Sequence, residues 1–144
     1  MRTLVVIATA VFLTSDVGRE SVQVPSSSKA QLSTSIPAAQ PQKYSSVRDA
    51  ASWLNPYIVV RSEGIEIISK EMPSGRTTVA PEALRASLVG LPVRAWPYGR
   101  VVAAQDNGVR SGTKKEDATI RRNHQTVESV LRALHVEVNW WPSA

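Results

Sequence analysis

The side chains able to do chemistry are few in this chain, and their spacing limits what they can do. There are two histidines, His124 and His135, and no cysteine. Thiol catalysis, disulfides, cysteine metal sites and a lipid-modified cysteine are therefore excluded. The histidines are too far apart for the i, i+3 or i+4 pairing by which one helix face holds a metal. No serine stands in a G-x-S-x-G turn. Glu63, Glu66, Glu71, Glu82 and Asp106 are isolated along the chain and form no recognisable acid pair. The stretch "NGVRSGTKKE" brings Gly108, Gly112, Thr113 and Lys114 before a helix amino end, where backbone N–H groups attract anions. It lacks P-loop spacing, and Glu116 and Asp117 would repel a phosphate. A helix cap accounts for it better. The expectation is no catalytic residue, no metal site and no cofactor.

One stretch has the composition of a recognition surface. "VRAWPYGR" sets Arg94, Trp96, Tyr98 and Arg100 in a proline-containing loop before a strand. Arginine and aromatic residues dominate interface hot spots, and the same set can stack bases and neutralise phosphates. The competing reading makes Trp96 a plug at the end of the core. The candidate partner surface is Arg94, Trp96, Tyr98 and Trp141.

The elements that must position these residues follow from periodicity and punctuation. "SSVRDAASWLNP" reads as a short helix, capped by Ser46 and stopped at Asn55-Pro56. "YIVV" and "IEII" flank "RSEG" as a β-hairpin. "KEMPSGRTT" reads as a loop and "PEALRASLVG" as a helix with proline first and glycine last. "RVVAAQ" is a strand. A last helix starts at a capping box of Thr113 and Glu116, and carries Ile120, His124, Val127, Leu131 and Leu134 on one stripe. That makes His124 a core-edge residue. His135 stands at the helix-to-strand junction, where a cation suits the negative helix end. The closing "VEVNWW" alternates, which sends Trp140 to the core side with Val136 and Val138, and Trp141 to the opposite side with Glu137 and Asn139. The fold class is therefore α+β: a small mixed sheet (hairpin, helix, strand, helix, strand) with the helices packed on one face.

The element order resembles that of the periplasmic domain of the ExbD/TolR family of membrane energy-coupling proteins. That family carries an aspartate inside a membrane helix. Here the apolar run covers only residues 4–13, and Asp16 lies outside it. The resemblance thus implies a fold and not proton coupling, and no residue role carries over.

Residues 1–18, opening "MRTLVVIATAVFLTS", read as a signal peptide or a short uncleaved anchor, because the apolar run is too short to span a bilayer. Residues 19–45, rich in Ser, Pro and Gln, read as a disordered linker. Residues 46–144 form the single domain. The chain of 144 residues is basic, with net charge +5, pI ≈ 10.0 and arginine well in excess of lysine. These features point to a small exported module, periplasmic or extracellular, that binds an envelope protein, a peptide or a wall polymer without catalysis. Membrane association follows only if the amino-terminal segment is retained. The alternatives are a cytoplasmic nucleic-acid-binding domain using Lys114, Lys115, Arg121 and Arg122, or a hydrolase whose site the sequence does not reveal.

Overall fold

The structure, a computed structural model, describes residues 35–107 and 112–143. The expected signal segment and the linker up to residue 34 lie outside the described residues. The chain runs β1 (Tyr57–Val60), β2 (Ile65–Ile68), β3 (Arg76–Val79), α1 (Leu84–Val89), β4 (Val101–Asp106), α2 (Lys114–Ala133) and β5 (Glu137–Trp140). One five-stranded sheet has the order β3-β2-β1-β4-β5. The β1–β2 and β2–β3 pairs are antiparallel, and the β1–β4 and β4–β5 pairs parallel. The fold is the expected α+β mixed sheet. Both helices lie on one face, because each is a crossover between parallel strands or part of one.

Local chemistry explains the elements. β1 and β2 are runs of β-branched residues, and the turn between them closes with Arg61 N–H donating to Gly64 O at 2.9 Å. Gly64 has φ +154°, and a Cβ there would lie 2.7 Å from the Val79 carbonyl oxygen. Glycine thus permits both the turn and the approach of β3. In α2 the capping box is complete: Thr113 Oγ1 accepts from Glu116 N–H, and Glu116 Oε2 accepts from Thr113 N–H at 2.7 Å. The cap holds the Glu116 carboxyl below the usual carboxylate range. His135, at φ 54°, takes the left-handed conformation that ends the helix and starts β5.

Strand alternation divides the core in two. Ile58, Val60, Ile65, Ile67, Val102 and Ala104 face the helices and meet Leu84, Leu88, Val127, Leu131 and Leu134. Each of the larger fully buried aliphatics contributes about 1.5–3 kcal/mol by leaving water. Tyr57, Val59, Val101 and Ala103 face the other way and meet Trp53, Tyr98, Tyr44 and Trp141.

Three expectations are corrected. First, the disordered linker does not reach residue 45. Ile36 is 2% exposed within the helix-side core, Ala39 and Tyr44 pack on the other face, and Pro41–Lys43 is a 3-10 turn. Second, residues 46–54 form turns and not a helix. Asp49 accepts from Ser52 N–H at 2.8 Å, a local bond that competes with helical pairing. The buried residue is Trp53, whereas its neighbour Leu54 is 42% exposed. Third, the "GRTT" loop contains β3. Its Thr-rich, half-exposed pattern suits an edge strand, which carries too little apolar alternation to be read from sequence.

Candidate binding surface

The sequence-selected residues do not form one surface. Trp96 is 3% exposed and belongs to the helix-side core. Its indole N–H is buried without a hydrogen-bond partner. Tyr98 is 6% exposed on the opposite side of the sheet. Arg94 is exposed and bonds Glu71. Trp141 is half-buried beside Trp53 and Tyr57, with ring centroids 5.7 and 5.5 Å away. Tyr98 and Trp141 thus meet in one aromatic cluster through Trp53, which lies 5.1 Å from Tyr98. Trp96 and Arg94 stand apart from it.

That cluster is held by a buried polar bracket. Asn55 Nδ2 donates to Gly99 O at 2.8 Å and Val101 O at 2.7 Å, and Oδ1 accepts from Tyr98 N–H at 2.8 Å. Pro37 O accepts from Arg100 N–H at 2.9 Å, and Tyr98 O accepts from Gln40 N–H at 2.9 Å. A Cβ at Gly99, which has φ +79°, would collide with the Ala38 carbonyl. Burial pushes the Tyr57 hydroxyl pKa up. Burial, with a smaller push from the charge of Glu137, does the same at Tyr44.

Beside the cluster runs the edge of β5, the last strand in the sheet order, which pairs with no further strand among the described residues. Glu137 N–H bonds Arg100 O and Trp141 N–H bonds Ala104 O, so alternate residues face β4. Val138 and Trp140 therefore turn their backbone N–H and C=O outward. Two open grooves flank this edge on opposite faces of the sheet. One, of about 420 Å³, is lined by Val47, Arg48, Asn139, Trp141 and Pro142. The other, of about 370 Å³, has a floor of Leu131, Val136 and Val138, and a rim of Glu128, Arg132 and Glu137.

Sequence reasoning missed a cluster at the carboxyl end of the parallel strands. His124 Nδ1 lies 2.9 and 3.0 Å from the Asp106 carboxylate oxygens, and Nε2 lies 3.5 Å from Glu128 Oε1. Its ring stacks on Trp140 with centroids 4.0 Å apart and planes 13° apart. The contact joins β4, α2 and β5, and only the Glu128 spacing was visible in sequence. Among the described residues no group of three or more His, Asp or Glu is placed to hold a metal. A nearby crevice of about 240 Å³ includes Arg61, Ser62, Glu63, Asn107, Glu116 and Asp117. It lies where strand order reverses between β1 and β4, a favoured ligand position in α/β sheets. Its main polar groups already bind the protein: Arg61 pairs with Glu66 at 2.7 Å, Ser62 donates to Glu63, and Glu116 serves the cap.

No protein-family model, curated protein or solved structure matches this chain. The likeness to ExbD/TolR therefore rests on element order alone.

Proposed function

We propose that this chain is an exported, non-catalytic interaction module of the cell envelope that captures an extended polypeptide along the outer edge of β5. The observation that carries the reading is the edge with a groove on each face of the sheet. An added strand satisfies the outward backbone groups of Val138 and Trp140, and its successive side chains fall alternately into the two grooves. Main-chain bonds supply affinity and the grooves supply selectivity. One groove offers an aliphatic floor. The other offers the Trp141 indole and the Arg48 guanidinium, which suits an acidic or aromatic side chain. The short apolar run behind Arg2 supports export.

A photo-crosslinking residue at Asn139, in cells making the full chain, tests the reading. The expected result is a discrete polypeptide adduct in the envelope fraction. Val138→Pro removes an outward N–H and leaves the β4 ladder bonds in place, so it should abolish the adduct while the domain stays folded. Adducts unchanged by Val138→Pro in a folded protein would refute strand addition. Intact Met1 on soluble cytoplasmic protein would refute export.

A further inference from the structure

Beyond its first turn, the one carboxylate of α2 is Glu128, whose side chain is 42% exposed at the border of the exposed side and turns to His124. The exposed positions beyond that turn are Arg121, Arg122, Gln125, Ser129 and Arg132. At about 100° per residue they fall within one arc of roughly 100°, and Lys114 lies in line with Arg121 and Arg132. Among the described residues, none of Lys114, Arg121, Arg122 and Arg132 is in an ion pair. Arg122 has only a neutral bond, to Thr119 Oγ1 at 3.0 Å. The carboxylates nearby are turned elsewhere or flank the stripe. Glu128 reaches His124, Glu116 closes the cap, and Asp117 stands beside Lys114 at the first turn.

The shape of the stripe narrows the partner. It is straight and convex, with Arg121 and Arg132 about 16 Å apart along the axis. It has no aromatic platform for bases, since Trp53 and Trp96 are buried and Trp140 and Trp141 are half-buried at the sheet. No exposed apolar side chain on this arc can insert into hydrocarbon. A flat array of phosphates presented all at once is the complementary surface. We infer that the exposed face of α2 docks on an anionic phospholipid bilayer, electrostatically and without insertion. Docking this way puts the β5 edge at the side of the layer, with Arg132 shared between the stripe and the rim of the helix-side groove. The location, though not the binding itself, rests on the export reading above. An amino-terminal segment held at a membrane would raise the local concentration enough for a weak site to act.

The test is sedimentation of the full-length protein with phosphatidylcholine vesicles, with and without phosphatidylglycerol. Any insertion by the amino-terminal run acts on both vesicle types, so the ratio of the two partition coefficients isolates the stripe. Combined Arg121→Ala, Arg122→Ala and Arg132→Ala should lower that ratio by about 100-fold. The three lysine replacements should retain most of it. Raising salt from about 0.05 to 0.5 M should collapse it in the wild type. A ratio unchanged by the alanine substitutions would overturn the inference. So would a DNA duplex that binds more tightly than the vesicles with the same arginine dependence, since that assigns the face to nucleic acid. The crosslinking result at β5 is independent of either outcome.

Discussion

On one side of the sheet Ile58, Val60, Ile67 and Val102 meet two helices. On the other, Tyr57, Val59 and Val101 meet a roof made of residues 37–55, which contains no strand and no α-helix. The first face is closed by aliphatic packing with no directional demand. The second is closed by rings set at steep angles, with Tyr44, Tyr98 and Trp141 gathered round Trp53, and by hydrogen bonds from Asn55. An irregular roof must satisfy its own backbone groups, since no helix does it internally. That is why Asn55 here serves three backbone groups and Gly99 lies close to the Ala38 carbonyl, whereas the buried asparagine of α2, Asn123, serves one carbonyl, Arg61 O at 2.7 Å. The same face bears a buried acid, Glu66, which is tolerable because Arg61 and Arg76 reach it at 2.7 and 3.5 Å.

The largest expected effect comes from removing the start of this roof. A chain beginning at residue 45 loses Ile36 from the helix-side core and Tyr44 from the aromatic side. It also leaves Arg100 N–H and Tyr98 O without their partners at Pro37 and Gln40. The sum is about 5 kcal/mol, comparable with the whole stability of a small domain. In urea a chain beginning at residue 35 should show a cooperative unfolding transition, whereas one beginning at 45 should be largely unfolded. Equal midpoints for the two would make the roof an accessory and end the comparison.

Next in size is Asn55→Ala, at about 2–4 kcal/mol. The substitution removes little apolar area but leaves Val101 O and Tyr98 N–H buried without their partner, and takes from Gly99 O one of its two donors, the other being Val101 N–H at 2.8 Å. If the aromatic face were held by ring packing alone, the loss would be under about 1 kcal/mol. Urea denaturation of the single variant decides between these outcomes.

Legibility in the sequence follows the same division. The helix-covered face was readable because Val127, Leu131 and Leu134 recur at helical spacing and the hairpin strands are β-branched runs. The aromatic face was not, because its roof has no period. Residues 35–45 look like the linker that precedes them, and Trp53 is buried by a turn and not by helix geometry. The strand rule placed Trp140 and Trp141 on the correct sides. It left Trp141 uncovered, since nothing in "VEVNWW" reports that Trp53 lies over it. In "VRAWPYGR" the residue types suggested a surface. The 3-10 turn at Val93–Ala95 instead sends Trp96 into one core, and the bracket by Asn55 sends Tyr98 into the other. The pairing of His124 with Asp106 spans β4 and α2, so no local spacing could announce it.

The two adjacent tryptophans sharpen the comparison most finely, because each samples one face from the same strand. Alternation alone would make Trp140→Ala severe and Trp141→Ala slight. Both rings are in fact partly buried. Trp140 stacks on His124, but its indole N–H is buried without a partner, which offsets part of what its packing contributes. Trp141 has two aromatic neighbours and one side open to the groove at Arg48. Each substitution should cost about 1–3 kcal/mol, with no large difference between them. The smallest quantity is their coupling. The two side chains share no partner across the sheet, so the double variant should equal the sum of the singles within about 0.5 kcal/mol. A coupling above about 1 kcal/mol would mean that losing either ring releases β5 from β4, and that the two faces fail as one unit at this edge. Additivity would instead show that β5 stays paired when either face is stripped of its tryptophan, as the proposed strand addition requires.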